Sequence, residues 1–207
     1  MATREHLESR RVIEGNRGIL HERLIEPALV PLTHDLPASD MNLTRTLIIG
    51  NSGSGKSWLA ERIAGSLQAP HIDLDLIHWE PGGSDVARSR ERAIELAREA
   101  ATGSRSWVIE GIYGWLAREV ASMTTALIWL CLDESECAVN LKRRGVRRGG
   151  TDESFKALLS WSETYRTREG SSSHAGHERL FNDFPGAKTC LRQRSEVTAF
   201  ADFRSTR

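Results

Sequence analysis

Eight consecutive residues, Gly50, Asn51, Ser52, Gly53, Ser54, Gly55, Lys56 and Ser57, set glycines, a lysine and a hydroxyl in the spacing GxxxxGK[S/T]. Glycine permits a tightly wound backbone whose successive N–H groups turn toward one point, where phosphate oxygens accept them. A helix opening at about Lys56 adds the positive end of its dipole. The Lys56 ammonium suits β- and γ-phosphate oxygens, and the Ser57 hydroxyl suits a magnesium ion bridging them. The chemistry predicted is capture of a nucleoside triphosphate, ATP, together with Mg2+. Further along the chain stand acidic side chains that phosphoryl chemistry would use, at Asp73, Asp75 and Glu110.

Such a loop works only between a buried strand and a helix, and both flanks read that way. Leu47-Ile48-Ile49 is an apolar strand, and residues 56–67 read as the helix after it. Apolar runs at 70–74, 106–110, 125–132 and 187–191 predict four more strands. Amphipathic stretches at 86–101, 134–144, 152–168 and 195–203 predict helices between and after them. Strands that are apolar throughout and alternate with helices imply a parallel sheet covered on both faces. The expected fold is therefore α/β: the three-layer P-loop NTPase arrangement, a five-stranded parallel sheet flanked by helices, with a small lid.

Ligands of open parallel sheets bind beyond the carboxyl ends of the strands. That rule puts Asp73 and Asp75 at the end of the second strand and Glu110 at the end of the third. The two-residue spacing sets Asp73 and Asp75 on one side if the strand runs that far. Asp75 is the candidate base for an acceptor hydroxyl, and Asp73, Glu110 and Ser57 are the candidate magnesium ligands. The alternative is that these acids only cap the helices that follow. His78 and Trp79 are candidates for one wall of an acceptor pocket, with Tyr113 and Trp115 for the other; Trp129 reads as core. Lys142, Arg143, Arg144, Arg147 and Arg148 surround Gly145 and precede Gly149-Gly150. This basic, hinged segment suits a lid near 142–170, in which Arg143 and Arg147 pair with transferring phosphoryl oxygens and Arg166 and Arg168 complete the set. His174 and His177, beside Ser171-Ser172-Ser173, read as a solvated loop.

The 207 residues fit one domain with an extension. Residues 1–40, broken by Pro27, Pro31 and Pro37, read as a flexible N-terminal extension, and the domain is expected to begin at Met41 and run to 207. Lys plus Arg equal Asp plus Glu at 28 each, so no long-range field draws the chain to nucleic acid or an anionic membrane. Three cysteines, Cys131, Cys137 and Cys190, lie in no metal-ligand spacing and read as buried small side chains. With no disulfide framework, no signal peptide and no run of about 20 apolar residues, a cytoplasmic location is expected. Oligomeric state is left open.

No Asn-Lys-x-Asp guanine motif and no Leu-Ser-Gly-Gly-Gln signature occurs, and the domain is short. A small-molecule kinase is the branch that remains. The runs from Leu47 to Ser57, from His71 through Asp73, Asp75, His78, Trp79 and Pro81 to Gly82, and Trp107-Val108-Ile109-Glu110-Gly111-Ile112-Tyr113 resemble adenylate-kinase-related proteins. More narrowly they resemble the FlaR-related "DNA topology modulation" family. The likeness continues through Leu141-Lys142-Arg143-Arg144 to Leu191-Arg192 and Glu196-Val197, and departs at Trp58, Glu110 and Ile112, where Thr, Asp and Asn are usual. It implies phosphoryl transfer, with Arg192 beside the nucleotide. The Asp-x-Asp pair is also similar to shikimate kinases, Asp75 with His78 to gluconate kinases, and Glu110-Gly111 to the Asp-Gly of adenylate kinases. The function expected is transfer of the ATP γ-phosphoryl group to a small acceptor: a nucleotide, a nucleoside or a hydroxy acid. The alternative is a nucleotide-dependent regulatory ATPase or nucleic-acid-binding P-loop protein with no such acceptor. Deleting residues 1–40 should leave ATP binding, measured by calorimetry, within about threefold of the full chain, a change below 1 kcal/mol. Loss of binding or of solubility would move the domain boundary upstream.

Overall fold

The computed structural model describes residues 40–81, 86–146 and 150–205, so the expectations for residues 1–39 and for Arg147 and Arg148 lie outside the described residues. Five parallel strands form one sheet in the order β2-β3-β1-β4-β5. They are β1 (Arg45–Gly50), β2 (His71–Asp73), β3 (Trp107–Gly111), β4 (Ala126–Leu130) and β5 (Ala187–Leu191). β1 is central, paired to β3 on one side and β4 on the other. The chain leaves β1 for one half of the sheet and returns past it to build the other half. The crevice this reversal opens lies at the carboxyl end of β1.

Two apolar layers sandwich the sheet because alternate side chains of each buried strand point to opposite faces. On one face Ile48, Val108, Ile128 and Leu130 pack under α1 (Lys56–Leu67), α5 (Glu134–Arg144) and α8 (Arg194–Ser205). On the other, Leu47, Ile49, Ile109 and Trp129 meet α2 (Leu74–His78), α3 (Arg90–Thr102), α4 (Gly114–Val120) and α7 (His174–Asp183). α6 (Asp152–Glu163) follows α5 and packs on it. Met41 and Leu43 are buried in the first layer, so the chain enters the core directly before β1.

Several elements differ from the sequence reading. β2 stops at Asp73, because Leu74 already begins α2 and the Asp73 carboxylate accepts the Asp75 N–H at 2.8 Å as its cap. The helix expected from residue 86 starts at Arg90, capped by Ser89, and Ala87 instead bridges antiparallel to Trp79. The helix expected over 152–168 ends at Glu163.

The largest correction concerns His174 and His177. They belong to α7, whose N-cap is Ser173, and His177 is fully buried. The serine run that reads as a loop ends in a residue suited to start a helix. Trp129 Nε1 donates to the Tyr165 hydroxyl at 3.1 Å, and Tyr165 and His177 Nδ1 stand 2.6 Å apart. His177 Nε2 lies 2.9 Å from the Ile112 carbonyl. A carbonyl only accepts, so Nε2 carries the proton, Nδ1 accepts, and the Tyr165 hydroxyl donates to it. Every group in this buried chain is satisfied while the imidazole is neutral. It ties the segment after α6 to β4 and to the turn after β3.

Burial, the dominant influence, pushes the His177 pKa down from 6.5 to about 3. Between those values the unfolded chain binds one more proton than the folded one. The network's contribution is thus complete above pH 6.5 and is lost progressively as pH falls toward 3, by up to about 1.4 kcal/mol per pH unit. Denaturant titrations across this range should give a shallower pH slope for His177→Gln than for wild type. Equal slopes would assign the acid sensitivity to other groups.

Candidate functional site

The loop at residues 50–57 joins β1 to α1 at the sheet's central crevice. Gly53 and Gly55 take φ of 81° and 97°, conformations that side chains disfavour. Space is equally restrictive: a Cβ on Gly53 would stand 2.3 Å from the Cys137 carbonyl oxygen, and one on Gly50 2.5 Å from that of Leu130. The loop is therefore held between the end of β4 and α5. Asn140 of α5 also donates to the Gly53 carbonyl at 2.9 Å. Asn51 uses both ends of its amide, Oδ1 accepting the Ser52 N–H and Nδ2 donating to the Ser162 carbonyl of α6, each at 2.8 Å.

The inside of the loop is left for an anion. Among the described residues, the N–H groups of Gly53, Gly55, Lys56 and Ser57 have no acceptor, and they open the N-terminus of α1. Ser54 Oγ is buried without a partner. Lys56, itself buried, reaches back across the loop to the Asn51 carbonyl at 3.0 Å. A cluster of free donors with one ammonium matches the β- and γ-phosphates of a nucleotide.

Ser57 Oγ donates to Glu110 Oε1 at 2.7 Å. Glu110 is buried, at 2% exposure, on the face of β3 that looks toward α1, and Asp73 is its direct register partner on β2. Burial alone would raise the Glu110 pKa. The nearby His71, the Lys56 charge and the Ser57 hydroxyl outweigh it and hold the carboxyl below its ordinary range. His71 Nε2 stands 3.7 Å from Glu110 Oε1, a Coulombic contact too long for a hydrogen bond, and Glu110 in turn raises the His71 pKa. The donors fit Mg2+: Ser57 and Glu110 are in contact, with Asp73 beside them. Among the described residues no three His, Cys, Asp or Glu side chains form a metal cage. Magnesium needs none, since it takes most of its ligands from phosphate and water.

Asp75 is placed in the first turn of α2 rather than on β2, one step from the pair. His78, Trp79, Tyr113 and Trp115 come together as one aromatic cluster rather than two separated walls. The His78 ring lies 4.2 Å from Tyr113 and 4.5 Å from Trp79, and Trp79 Nε1 donates to the Tyr113 hydroxyl at 2.9 Å. Partial burial lowers the His78 pKa, favouring the neutral ring. Arg143 is exposed on the last turn of α5, three residues beyond Asn140. Arg166 pairs with Glu134, and Arg168 stacks 3.4 Å over the Trp161 ring while donating to the Trp161 and Ser172 carbonyls.

Two residues at the site escaped the sequence reading. Arg194, at the start of α8, puts Nη1 2.7 Å from the place a Cβ on Gly55 would occupy, and its Nε pairs with Glu136 at 3.1 Å. Arg192 is exposed, and its backbone N–H is taken by Glu196. Arg194 thus stands against the loop two positions beyond Arg192, with Glu196 capping the turn and α8 opening at Arg194. Asn140 gave no signal beyond its place on α5.

No family model and no curated protein sequence matches the chain. Solved structures with similarity include a shikimate kinase from Bacteroides thetaiotaomicron, 17% identical over 79% of this chain and 97% of that one, with a TM-score of 0.48. A gluconokinase from Sinorhizobium meliloti is 16% identical over 80% and 96%, with a TM-score of 0.46. An uncharacterized protein from Eubacterium ventriosum is 16% identical over 79% and 99%, with a TM-score of 0.44. The chain has the α/β fold, a five-stranded parallel sheet flanked by helices with a P-loop at its central strand, as its own strand order and loop geometry establish.

Arg194→Ala should weaken ATP binding about 10-fold, the scale of one charge-assisted contact, whereas Arg192→Ala should stay within about twofold. Calorimetry on both variants reads this directly, and equal losses would remove Arg194 from the nucleotide site.

Proposed function

We propose that the chain is a magnesium-dependent phosphotransferase that moves the γ-phosphoryl group of ATP to a small acceptor, a nucleotide, nucleoside or hydroxy acid. The observation that carries this reading is the Ser57–Glu110 contact, a hydroxyl and a buried ionised carboxylate 2.7 Å apart at the mouth of the phosphate loop. A carboxylate is costly to bury, and one kept ionised there supports a metal-holding role beside the phosphates. The resemblance to adenylate-kinase-related proteins and the FlaR-related family, carried by residues 47–57, 71–82 and 107–113, supports the same assignment.

In this mechanism the free N–H groups of Gly53, Gly55, Lys56 and Ser57 hold the phosphates, and Lys56 swings from the Asn51 carbonyl to the β- and γ-oxygens. Ser57, Glu110 and Asp73 would hold Mg2+, which when bound supplies positive charge to the phosphate oxygens. The acceptor lies over β2 and β3, beside the aromatic cluster, where Asp75 takes the proton of its hydroxyl. Residues 142–170 act as the lid, with Arg143 and Arg147 meeting charge on the transferring oxygens and the closed segment keeping water out. Direct attachment of α6 to the loop through Asn51 and Ser162 supports this role.

Lys56→Ala should abolish ADP formation while leaving the circular dichroism spectrum unchanged. Arg143→Ala should lower kcat by about 10²-fold with little change in ATP affinity, because the contact strengthens only in the transition state. ADP release should be screened over nucleoside monophosphates, nucleosides and hydroxy acids. Acceptor-stimulated turnover sustains the reading. ATP hydrolysis at one rate with every acceptor makes the chain a regulatory ATPase instead.

A further inference from the structure

A second chemically distinct group stands at the carboxyl end of β4. Cys131 follows Leu130 directly, and its N–H donates to the Leu191 carbonyl at 2.8 Å, continuing the β4–β5 ladder past its last register pair. Its sulfur lies 3.3 Å from His174 Nε2, and Arg166 Nη2 approaches at 3.8 Å. Cys190 lies on the same face of the neighbouring strand, in register with Trp129 two residues before Cys131, and completes the surroundings of this sulfur. One thiol thus faces a guanidinium, an imidazole and a second thiol. The charged groups around it are Arg166, its partner Glu134 and His174, all drawn from the segments that flank α6.

The guanidinium at 3.8 Å and the imidazole nitrogen at 3.3 Å are placed to stabilise this sulfur as thiolate. The Cys190 contact, then His174 and Arg166, lower the Cys131 pKa to about 6 against the opposing effect of burial. The same chain holds a built-in contrast. Cys137, on α5, is fully buried, and burial pushes its pKa up to about 11. Cys131 and Cys190 each keep 7% exposure, against none for Cys137, so any reagent that reaches them must be small. Phosphoryl transfer as proposed uses neither sulfur.

We propose that Cys131 is a peroxide-reactive thiolate and that Cys190 is its resolving partner, so that oxidation closes a β4–β5 disulfide next to the phosphate loop. In the first step the Cys131 sulfur attacks one peroxide oxygen. The S–O bond forms, the O–O bond breaks, and the departing hydroxide takes a proton and leaves as water. Cys131 is then a sulfenic acid, oxidised by two electrons, and the peroxide is reduced by two. In the second step the Cys190 sulfur attacks the Cys131 sulfur. The S–S bond forms, the S–O bond breaks, and the hydroxyl leaves as water with the Cys190 proton. The disulfide carries no charge, so His174 and Arg166 lose the anion they share, and Leu130, whose carbonyl presses on Gly50, is next to the crosslink.

The test needs only the full chain, hydrogen peroxide, and mass spectrometry with peptide mapping. Wild-type protein treated at neutral pH should lose two hydrogens, join the Cys131 and Cys190 peptides, and recover its original mass with dithiothreitol. Cys190→Ser should instead add oxygen to the Cys131 peptide, at least about 10-fold faster than to the Cys137 peptide, as thiolate fraction and exposure dictate. The wild-type comparison of Cys131 with Cys137 requires no substitution and holds even if a variant folds poorly. Equal oxidation of the two cysteines, a disulfide to Cys137, or oxygen on Cys131 without the Cys190 link in wild type would each overturn the proposal. None of these readouts depends on phosphoryl transfer, so a failed acceptor screen leaves the result standing.

Discussion

Backbone meets backbone at the phosphate loop more closely than any side chain would allow, and the rest of the molecule is arranged around that contact. The carbonyls of Leu130 and Cys137 occupy the space that Cβ atoms at Gly50 and Gly53 would fill. Each belongs to a different element, one to the end of β4 and one to α5, and both elements follow the loop by many residues. Placing β4 beside β1 and laying α5 over the loop is therefore what gives it its shape. The glycines permit the curve; the packing selects it. Donors that stay unpaired inside such a loop are tolerated because the surrounding structure leaves them no alternative acceptor.

Charge at the site follows from the same crowding. Glu110 is fixed in the interior by its strand register, and an isolated carboxylate there would be protonated. The Ser57 hydroxyl, the Lys56 ammonium and His71 keep it ionised. These four groups come from three elements, α1, β2 and β3, that converge only because β2 and β3 run side by side with α1 packed over them. The position is set by the fold, and the ionisation by the neighbours the fold brings.

Much of this was readable in the residues. The eight-residue loop and its strand–helix setting were explicit, and the apolar runs located all five strands because buried parallel strands tolerate little else. Legibility failed where local chemistry has two uses. Asp73 looked like part of a strand running to Leu74 and is also a helix cap, so the chain turned one residue early. Ser173 looked like part of a flexible tract and is the cap of α7, which hid a buried histidine. Arg192 and Arg194 are two residues apart, and only the Glu196 cap decides which one turns toward the loop. Contacts such as Trp129 to Tyr165 span tens of positions and leave no periodic trace.

Ser162 is the penultimate residue of α6, so its carbonyl is among those a helix leaves without an internal partner at its end. The partner it finds is the Asn51 side chain. The phosphate loop is therefore the stopper on which the last turn of α6 closes, and the two share one equilibrium. Whatever reshapes the loop changes how well that turn is wound, and whatever unwinds the turn withdraws a restraint from the loop. Thermodynamic reciprocity makes the two effects equal in size. A ligand that touches only α6 would, through this single amide, be felt at the phosphates as a change in binding constant.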